Sequence, residues 1–287
     1  MFDIIGDVHG EYSLLIKLLK KAGYQQDSEG IFFHPHHKAF FLGDFIDKGS
    51  EVSKVFFLVK SMIEKGYAQS LMGNHELNFI CINTEHQGKF LRKRSKKNLN
   101  QIKKSKELTN NLKENINFLS SLPLFFENEN LRLVHACWHS PSIAILKKSF
   151  PDSTISLDNL KTLYKEKNQE YDALTIALKG LEVDISPKDY LDYGGVKRSK
   201  ARVNWWEDGL LESVPHEHRE IPHNEKYLYQ DEKKVFFGHY AKKTNPYIQG
   251  PKTLCLDFCS SKFLCLYRDN GESSSIQKEN LFYVKKD

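Results

Sequence analysis

Three short polar motifs, each directly behind an apolar, strand-like run, constrain this chain more than anything else in it. Gly6-Asp7-Val8-His9-Gly10 follows Phe2 to Ile5, Gly43-Asp44-Phe45-Ile46-Asp47-Lys48-Gly49 follows Ala39 to Leu42, and Gly73-Asn74-His75-Glu76 follows Tyr67 to Met72. Leu14, Leu15, Leu18 and Leu19 recur at helical spacing until Gly23, and Val52, Val55, Phe56, Val59 and Ile63 do so until Gly66. Strand alternating with amphipathic helix indicates βαβ units, a parallel sheet and right-handed crossovers. In such sheets ligands gather beyond the carboxyl ends of the strands, where all three motifs fall.

Carboxylate, imidazole and amide oxygen together suit borderline divalent ions such as Mn, Fe or Zn, and the lack of thiolates here argues against a closed structural zinc site. One carboxylate shared by two ions would hold them roughly 3.5–4 Å apart, the spacing that stabilises both oxygens of an in-line phosphoryl displacement. Asp44 is the natural bridge. An isolated Asp-x-His is as consistent with an ordinary turn, but three such motifs, each after a strand, argue for a common site. Two later histidines, in Leu131-Arg-Leu-Val-His135 and Val235-Phe-Phe-Gly-His239, again stand directly after apolar strands.

These motifs, spread from Asp7 to His239, resemble the metallophosphoesterase superfamily, and within it the bacterial phosphoprotein-phosphatase type, whose relatives include dinucleoside tetraphosphatases and Ser/Thr phosphatases. The resemblance implies an α/β two-sheet sandwich flanked by helices. It implies that Asp7, His9 and Asp44 hold one ion and that Asp44, Asn74, His135 and His239 hold the other. It makes His75 a general acid for the leaving oxygen, oriented by Asp47; a helix cap is the plainer role for His75. Substrate phosphate would be met by Lys48, Asn74 and Arg202, with Arg198 as the second choice of arginine. Two departures stand out. Lys48 occupies the place of an arginine and gives up its bidentate fork, and Ala136-Cys137-Trp138-His139-Ser140-Pro141 replaces the glycines usual after His135.

Since the ligand motifs span most of the 287 residues, all of that length is expected to form a single domain, residues 1–287, with helical insertions at about 77–124 and 142–192 making a cap beside the site. The β-like runs Arg132 to Ala136, Lys234 to Phe237, Thr253 to Leu256 and Phe263 to Tyr267 supply further strands, and Arg268-Asp-Asn-Gly271 reads as a hairpin turn. Of the Trp205-Trp206 pair, one is expected in the core and one partly exposed. His216, His218 and His223, like His34, His36 and His37, follow no strand and are read as polar loops.

Composition excludes some classes. Hydrophobic residues make up 40% of the chain, enough for a substantial core. No apolar stretch reaches the roughly 18–20 residues of a membrane span, and Met1-Phe2-Asp3 begins no signal peptide, so the cytoplasm is the expected location. Five cysteines in apolar settings argue against a disulfide framework, and Cys255-x-x-x-Cys259 is read as core thiols rather than a metal site. The net charge of +5 is concentrated: Lys89 to Lys106 holds nine basic residues and no acid, and without them 33 basic side chains face 37 acidic ones. That segment could steer a polyanion, although a solvated surface is its plainer role.

The expectation is a dinuclear metal-dependent phosphohydrolase with two divalent ions, Mn foremost and Fe, Zn or Co as alternatives. Its substrate would be a phosphomonoester, a phosphoprotein first (Ser/Thr, with Tyr included), attacked directly by metal-bound hydroxide. Diadenosine tetraphosphate or another dinucleoside polyphosphate is the alternative substrate. A catalytically silent scaffold and a nucleic-acid phosphodiesterase rank below both. The expected partner is the phosphorylated substrate, with no membrane and no nucleic acid.

Overall fold

The computed structural model describes residues 1–84, 106–184, 190–191, 197–208, 227–271 and 273–286. One sheet contains β1 (Phe2–Ile5), β2 (Lys38–Phe41), β3 (Ala68–Ser70), β8 (Phe263–Asp269) and β9 (Leu281–Lys285), in the order β9-β8-β1-β2-β3. Its first three strands are parallel, while β8 is antiparallel to β1 and β9 to β8. The other contains β4 (Phe125–Glu127), β5 (Leu131–Val134), β6 (Lys234–Phe237) and β7 (Thr253–Cys255), in the order β7-β6-β5-β4. Here β5, β6 and β7 are parallel and β4 runs against β5.

The strand period of two sorts the side chains between two cores. Ile4, Phe40, Leu133, Phe236, Cys265 and Tyr267 join one buried cluster drawn from both sheets. Their neighbours Ile5, Phe41, Val134, Phe237, Leu264 and Leu266 belong to a second cluster shared with the helices. The result is a two-sheet sandwich flanked by helices, as expected. Helix α1 (Tyr12–Lys21) links β1 to β2 and buries Leu14, Leu15, Leu18 and Leu19, and α2 (Val52–Glu64) links β2 to β3. Helix α3 (Asn74–Asn83) begins on the third motif itself.

Helices α4 (Lys106–Asn110), α5 (Leu112–Ser120), α6 (Ser140–Ser149), α7 (Leu157–Glu166) and α8 (Gln169–Lys179) occupy the regions read as helical. The Ser156 and Asn168 side chains accept from the Asn159 and Tyr171 amides and so cap α7 and α8. Most of the basic segment, residues 89–105, lies outside the described residues, as do His216, His218 and His223.

Two expectations need correction. Strands β8 and β9 do pair antiparallel, but no tight turn at Arg268 to Gly271 joins them; the chain returns through residues 270–280. Ile276 on this connection is buried in the inter-sheet core and its amide bonds the Pro251 carbonyl at 2.8 Å, which draws the chain across the end of the sandwich. Trp205 and Trp206 are both buried, packed on Phe237 at ring separations of 4.6 and 5.1 Å.

At the edge of the inter-sheet layer, on the same strand faces as Phe236 and Tyr267, the Lys234 ammonium of β6 pairs with the Asp269 carboxylate of β8. Both are nearly excluded from water, so removing one partner strands a buried charge. Lys234→Met should therefore destabilise the protein by about 3–5 kcal/mol, and the added change Asp269→Leu should restore much of that loss. Urea unfolding of the single and double variants checks this; equal stability of Lys234→Met and the parent would contradict it.

Candidate metal centre

The three motif loops are stitched together by their backbones. The Val8 and His9 amides donate to the Asp44 carbonyl at 3.2 and 2.9 Å, Gly10 N to Phe45 O at 3.0 Å, and Gly49 N to His9 O at 2.7 Å. The loop after β5 is held by α8, whose Ala177 carbonyl accepts from Ala136 N at 2.9 Å, and Gly238 N reaches the His135 carbonyl at 2.8 Å. All five ligand-bearing turns thereby converge at one end of the sandwich.

Five of the eight non-glycine residues with positive φ among those described are in these turns: His9, Asp44, Asp47, Lys48 and His239, with φ between 47° and 67°. Left-handed backbone of this kind costs of order 1–3 kcal/mol per residue and collects at functional sites. Close approach requires glycine too. A Cβ on Gly73 would lie 2.3 Å from the Asp44 amide nitrogen, and one on Gly238 would lie 2.0 Å from Asp7 Oδ1.

Asp44 is 2% exposed and faces His135 Nε2 at 3.4 Å, His75 Nε2 at 3.7 Å and His9 Nε2 at 3.9 Å. Burial works to raise its carboxyl, but the surrounding imidazoles, His135 foremost, outweigh burial and hold it well below the usual carboxylate range. The His75 amide, at the N-terminus of α3, donates to Asp44 Oδ1 at 2.9 Å. Asp7 Oδ2 lies 3.7 Å from His9 Nε2, and the His239 amide donates to both Asp7 oxygens at 3.2 and 3.3 Å. Burial, then the charges of Asp257 and Asp44, push the Asp7 carboxyl up.

The donor set fits a cation on an observation internal to the chain. His135 Nδ1 is 2.8 Å from the Leu42 carbonyl and His9 Nδ1 is 3.3 Å from the Ile46 carbonyl, so each ring commits its N–H there and turns the Nε2 lone pair inward. His135 Nε2 also lies 3.1 Å from Asn74 Oδ1 and 3.4 Å from Asp44 Oδ1, so with its proton on Nδ1 the ring presents a lone pair to two further acceptors. Burial pushes His9 down to about 3 and His239 well below its ordinary value, which keeps both rings neutral, and His239 Nε2 is buried without a hydrogen-bond partner. Acceptors turned toward one another in this way require positive charge. Asp44, His135 and His239 bring ligand atoms within 4.8 Å of one another, and so do His9, Asp44 and His75.

His75 differs from the other rings, because its Nδ1 is 2.7 Å from Asp47 Oδ2. Burial works to lower its pKa, but Asp44 and Asp47 prevail and raise it above 6.5. Lys48 reaches the site at His9, Nζ to Nε2 at 2.5 Å, which satisfies an inward lone pair with a cation. Arg202 stands over the Tyr240 ring at 5.9 Å, and its charge is felt at His239. The Arg198 side chain lies outside the described residues.

Sequence reasoning gave no role to two residues of this site. Glu76, fully buried, accepts the amides of Asp44 at 2.7 Å, Gly73 at 2.9 Å, Phe45 at 3.1 Å and Ile46 at 3.2 Å. Burial and the Asp44 charge push its carboxyl up to about 8, against the Asp44 amide, the His75 charge and the Ile46 amide, which favour its anion. Asp257, 1% exposed, accepts the Cys259 amide at 3.0 Å. It follows the apolar run Leu254-Cys255-Leu256, and the rule that found the other ligands would have found it. The five cysteines are free thiols, as expected. Among the described residues no helix is long and apolar enough to cross a membrane.

Over residues 1–243 the chain matches a protein-family model described as calcineurin-like phosphoesterase. It is 46% identical over 74 residues to the bis(5'-nucleosyl)-tetraphosphatase PrpE (asymmetrical) of Geobacillus sp. strain WCH70, and 43% identical over 75 residues to that of Halalkalibacterium halodurans. Each match covers 30% of the relative's own length, and 25% and 26% of this chain. Among solved structures it is similar to a candidate diadenosine tetraphosphatase, with TM-score 0.51 and 16% identity over 99% of this chain and 92% of that one. It is similar also to a cold-active protein tyrosine phosphatase, with TM-score 0.52 and 18% identity over 94% and 74% of the two chains. At such identities these structures show the shared fold alone. With a family match over most of its length, the chain belongs to the calcineurin-like phosphoesterases, a family of metal-dependent hydrolases.

Proposed function

We propose that the chain hydrolyses bis(5'-nucleosyl) tetraphosphates at a dinuclear centre, with Asp7, His9 and Asp44 on one ion and Asp44, Asn74, His135 and His239 on the other. The similarity to the PrpE tetraphosphatases supports this substrate over a phosphoprotein, the first choice of the sequence reading, because the phosphatase structures share only the fold. The inward-facing acceptors around Asp44, above all His135 Nε2 against Asn74 Oδ1, are the observation that carries the metal centre. Mn is the proposed ion, since Asp, His and Asn together suit a borderline divalent metal.

When bound, the ions would activate the attacking water and neutralise charge on the phosphate. The residues do the rest. The attacking water releases one proton to solvent as its oxygen bonds to phosphorus, the bridging P–O bond opposite breaks, and His75 Nε2 gives its own proton to the departing oxygen, while the Asp47 carboxylate holds Nδ1 and stabilises the imidazolium. Lys48 and Arg202 offset the charge on the non-bridging oxygens. Glu76 keeps the Asp44 loop in its left-handed shape.

Asp44→Asn should lose bound metal and turnover together, whereas His75→Asn should keep the metal and lower kcat by roughly 10²–10⁴-fold. Metal content by elemental analysis beside steady-state kinetics separates the two; equal metal loss in both would remove His75 from the acid role. Because His75 acts protonated and its pKa is raised, kcat should fall as pH climbs through that pKa. Asp47→Asn removes part of the upward shift, so this alkaline limb should move to lower pH, and a limb that stays in place would contradict the dyad. Glu76→Gln turns an amide donor toward backbone donors, which should cost roughly 2–4 kcal/mol of stability, read by denaturant unfolding. Unchanged stability would show that the four amides do not need the carboxylate.

A further inference from the structure

Beside the metal centre a cavity of about 370 Å³ opens from Asp7 and His9 and runs out past Lys48, Phe263, Lys262 and Lys286. Its size falls in the roughly 300–1,000 Å³ span of small-molecule sites. Its lining has two characters. Lysines stand along it, while the Phe263 ring gives it an apolar wall. Lys286 shares its charge with Glu11, also on the lining, at 2.6 Å. Lys262 is exposed and makes no ion pair among the described residues. The outer surface continues the pattern: Lys285 Nζ lies 5.4 Å over the Phe263 ring, and Lys17 and Lys21 of α1 reach the carbonyls of Lys285 and Tyr283 on β9 at 3.5 and 2.9 Å.

A cavity that begins beside Asp7 and His9, has Lys48, Lys262 and Lys286 on its lining and the edge of a largely buried aromatic side chain, Phe263, in its wall suits a ligand with several phosphates in a row and a flat ring at its end. We propose that it is the subsite for a nucleotide half of the substrate, in which Lys262 and Lys286 bind the oxygens of the polyphosphate chain and Phe263 packs against the base. Each phosphate carries at least one negative charge, so contacts with Lys262 are charge-assisted, and the lysine face of α1 and β9 raises the local concentration of polyanions. A small aryl phosphate reaches the metal centre without filling this cavity. Selection between the two esters therefore lies in Lys262, Lys286 and Phe263 rather than in the ligands of the ions. This inference rests on the tetraphosphatase reading above.

The test uses the full chain loaded with Mn, with diadenosine tetraphosphate and para-nitrophenyl phosphate as paired substrates. Lys262 has φ 65°, so Lys262→Asn removes the charge while keeping a residue that tolerates this backbone. The expected result is a KM for the tetraphosphate raised about tenfold, and a drop of similar size in the ratio of kcat/KM for the tetraphosphate to that for the aryl ester. Calorimetry with ATP on the metal-free chain gives a second readout, in which the parent binds more tightly than Lys262→Asn. A ratio unchanged in Lys262→Asn, Lys286→Ala and Phe263→Leu, in a parent that cleaves the tetraphosphate, overturns the subsite. A parent that turns over the aryl ester but leaves diadenosine tetraphosphate intact overturns the tetraphosphatase reading, and the subsite with it.

Discussion

A buried carboxylate that faces three histidine rings and is almost excluded from solvent is the constraint from which the rest of the site follows. Asp44 is 2% exposed, and its own loop, α3 and the loop after β5 all place polar groups against it. Burying a charge is costly unless it is paired, and the rings that surround Asp44 point lone pairs as well as N–H groups inward. With its Nδ1 proton on the Leu42 carbonyl, a neutral His135 ring meets Asn74 and Asp44 with a lone pair. Only positive charge makes such an arrangement favourable. The fold brings the acceptors within reach, and a cation removes their mutual repulsion.

Holding that carboxylate in place takes unusual backbone. Asp44, Asp47 and Lys48 lie in one turn and all have left-handed φ, a shape an isolated chain of these residues would not keep. Glu76 supplies the restraint. It comes from the first turn of α3 and gathers four amides from the turn and from Gly73, so the second and third motifs behave as one unit. Gly73 permits this, since any side chain there would collide with Asp44. Strain in one loop is thus offset by hydrogen bonds from the next, and Asp44, Asn74 and His75 are all held by the same clamp.

Much of this was legible in the sequence, because the signals were local. An apolar run followed by Asp, Asn or His marks a strand end, and the rule located Asp7, His9, Asp44, Asn74, His135 and His239, which the fold brings to one end of the sandwich. The same rule applied to Leu254-Cys255-Leu256 would have given Asp257. Glu76 was harder: its partners are backbone amides, which leave no mark on the sequence. Tertiary packing also hid the burial of both tryptophans around Phe237 and the pull of Ile276 into the inter-sheet core, which replaced a tight turn with a long connection. The cavity beside Asp7 draws its wall from residues 7 to 14, 48, 259 to 264 and 286, and no short motif encodes such a set.

In the proposed mechanism the difference between a ligand and an acid comes down to the second atom each imidazole touches. His75 lies as close to Asp44 as the other rings do, and with His9 and Asp44 it forms a group that spacing alone would allow to hold an ion. Yet the Nδ1 of His135 meets a neutral carbonyl, whereas that of His75 meets the Asp47 carboxylate at 2.7 Å. A carbonyl accepts the Nδ1 hydrogen bond and turns Nε2 inward to donate a lone pair. A carboxylate stabilises the imidazolium, raises the pKa and leaves a proton on Nε2 to be given away. In that mechanism Asp47 divides the labour, because its left-handed turn, held by Glu76, swings its carboxylate behind His75.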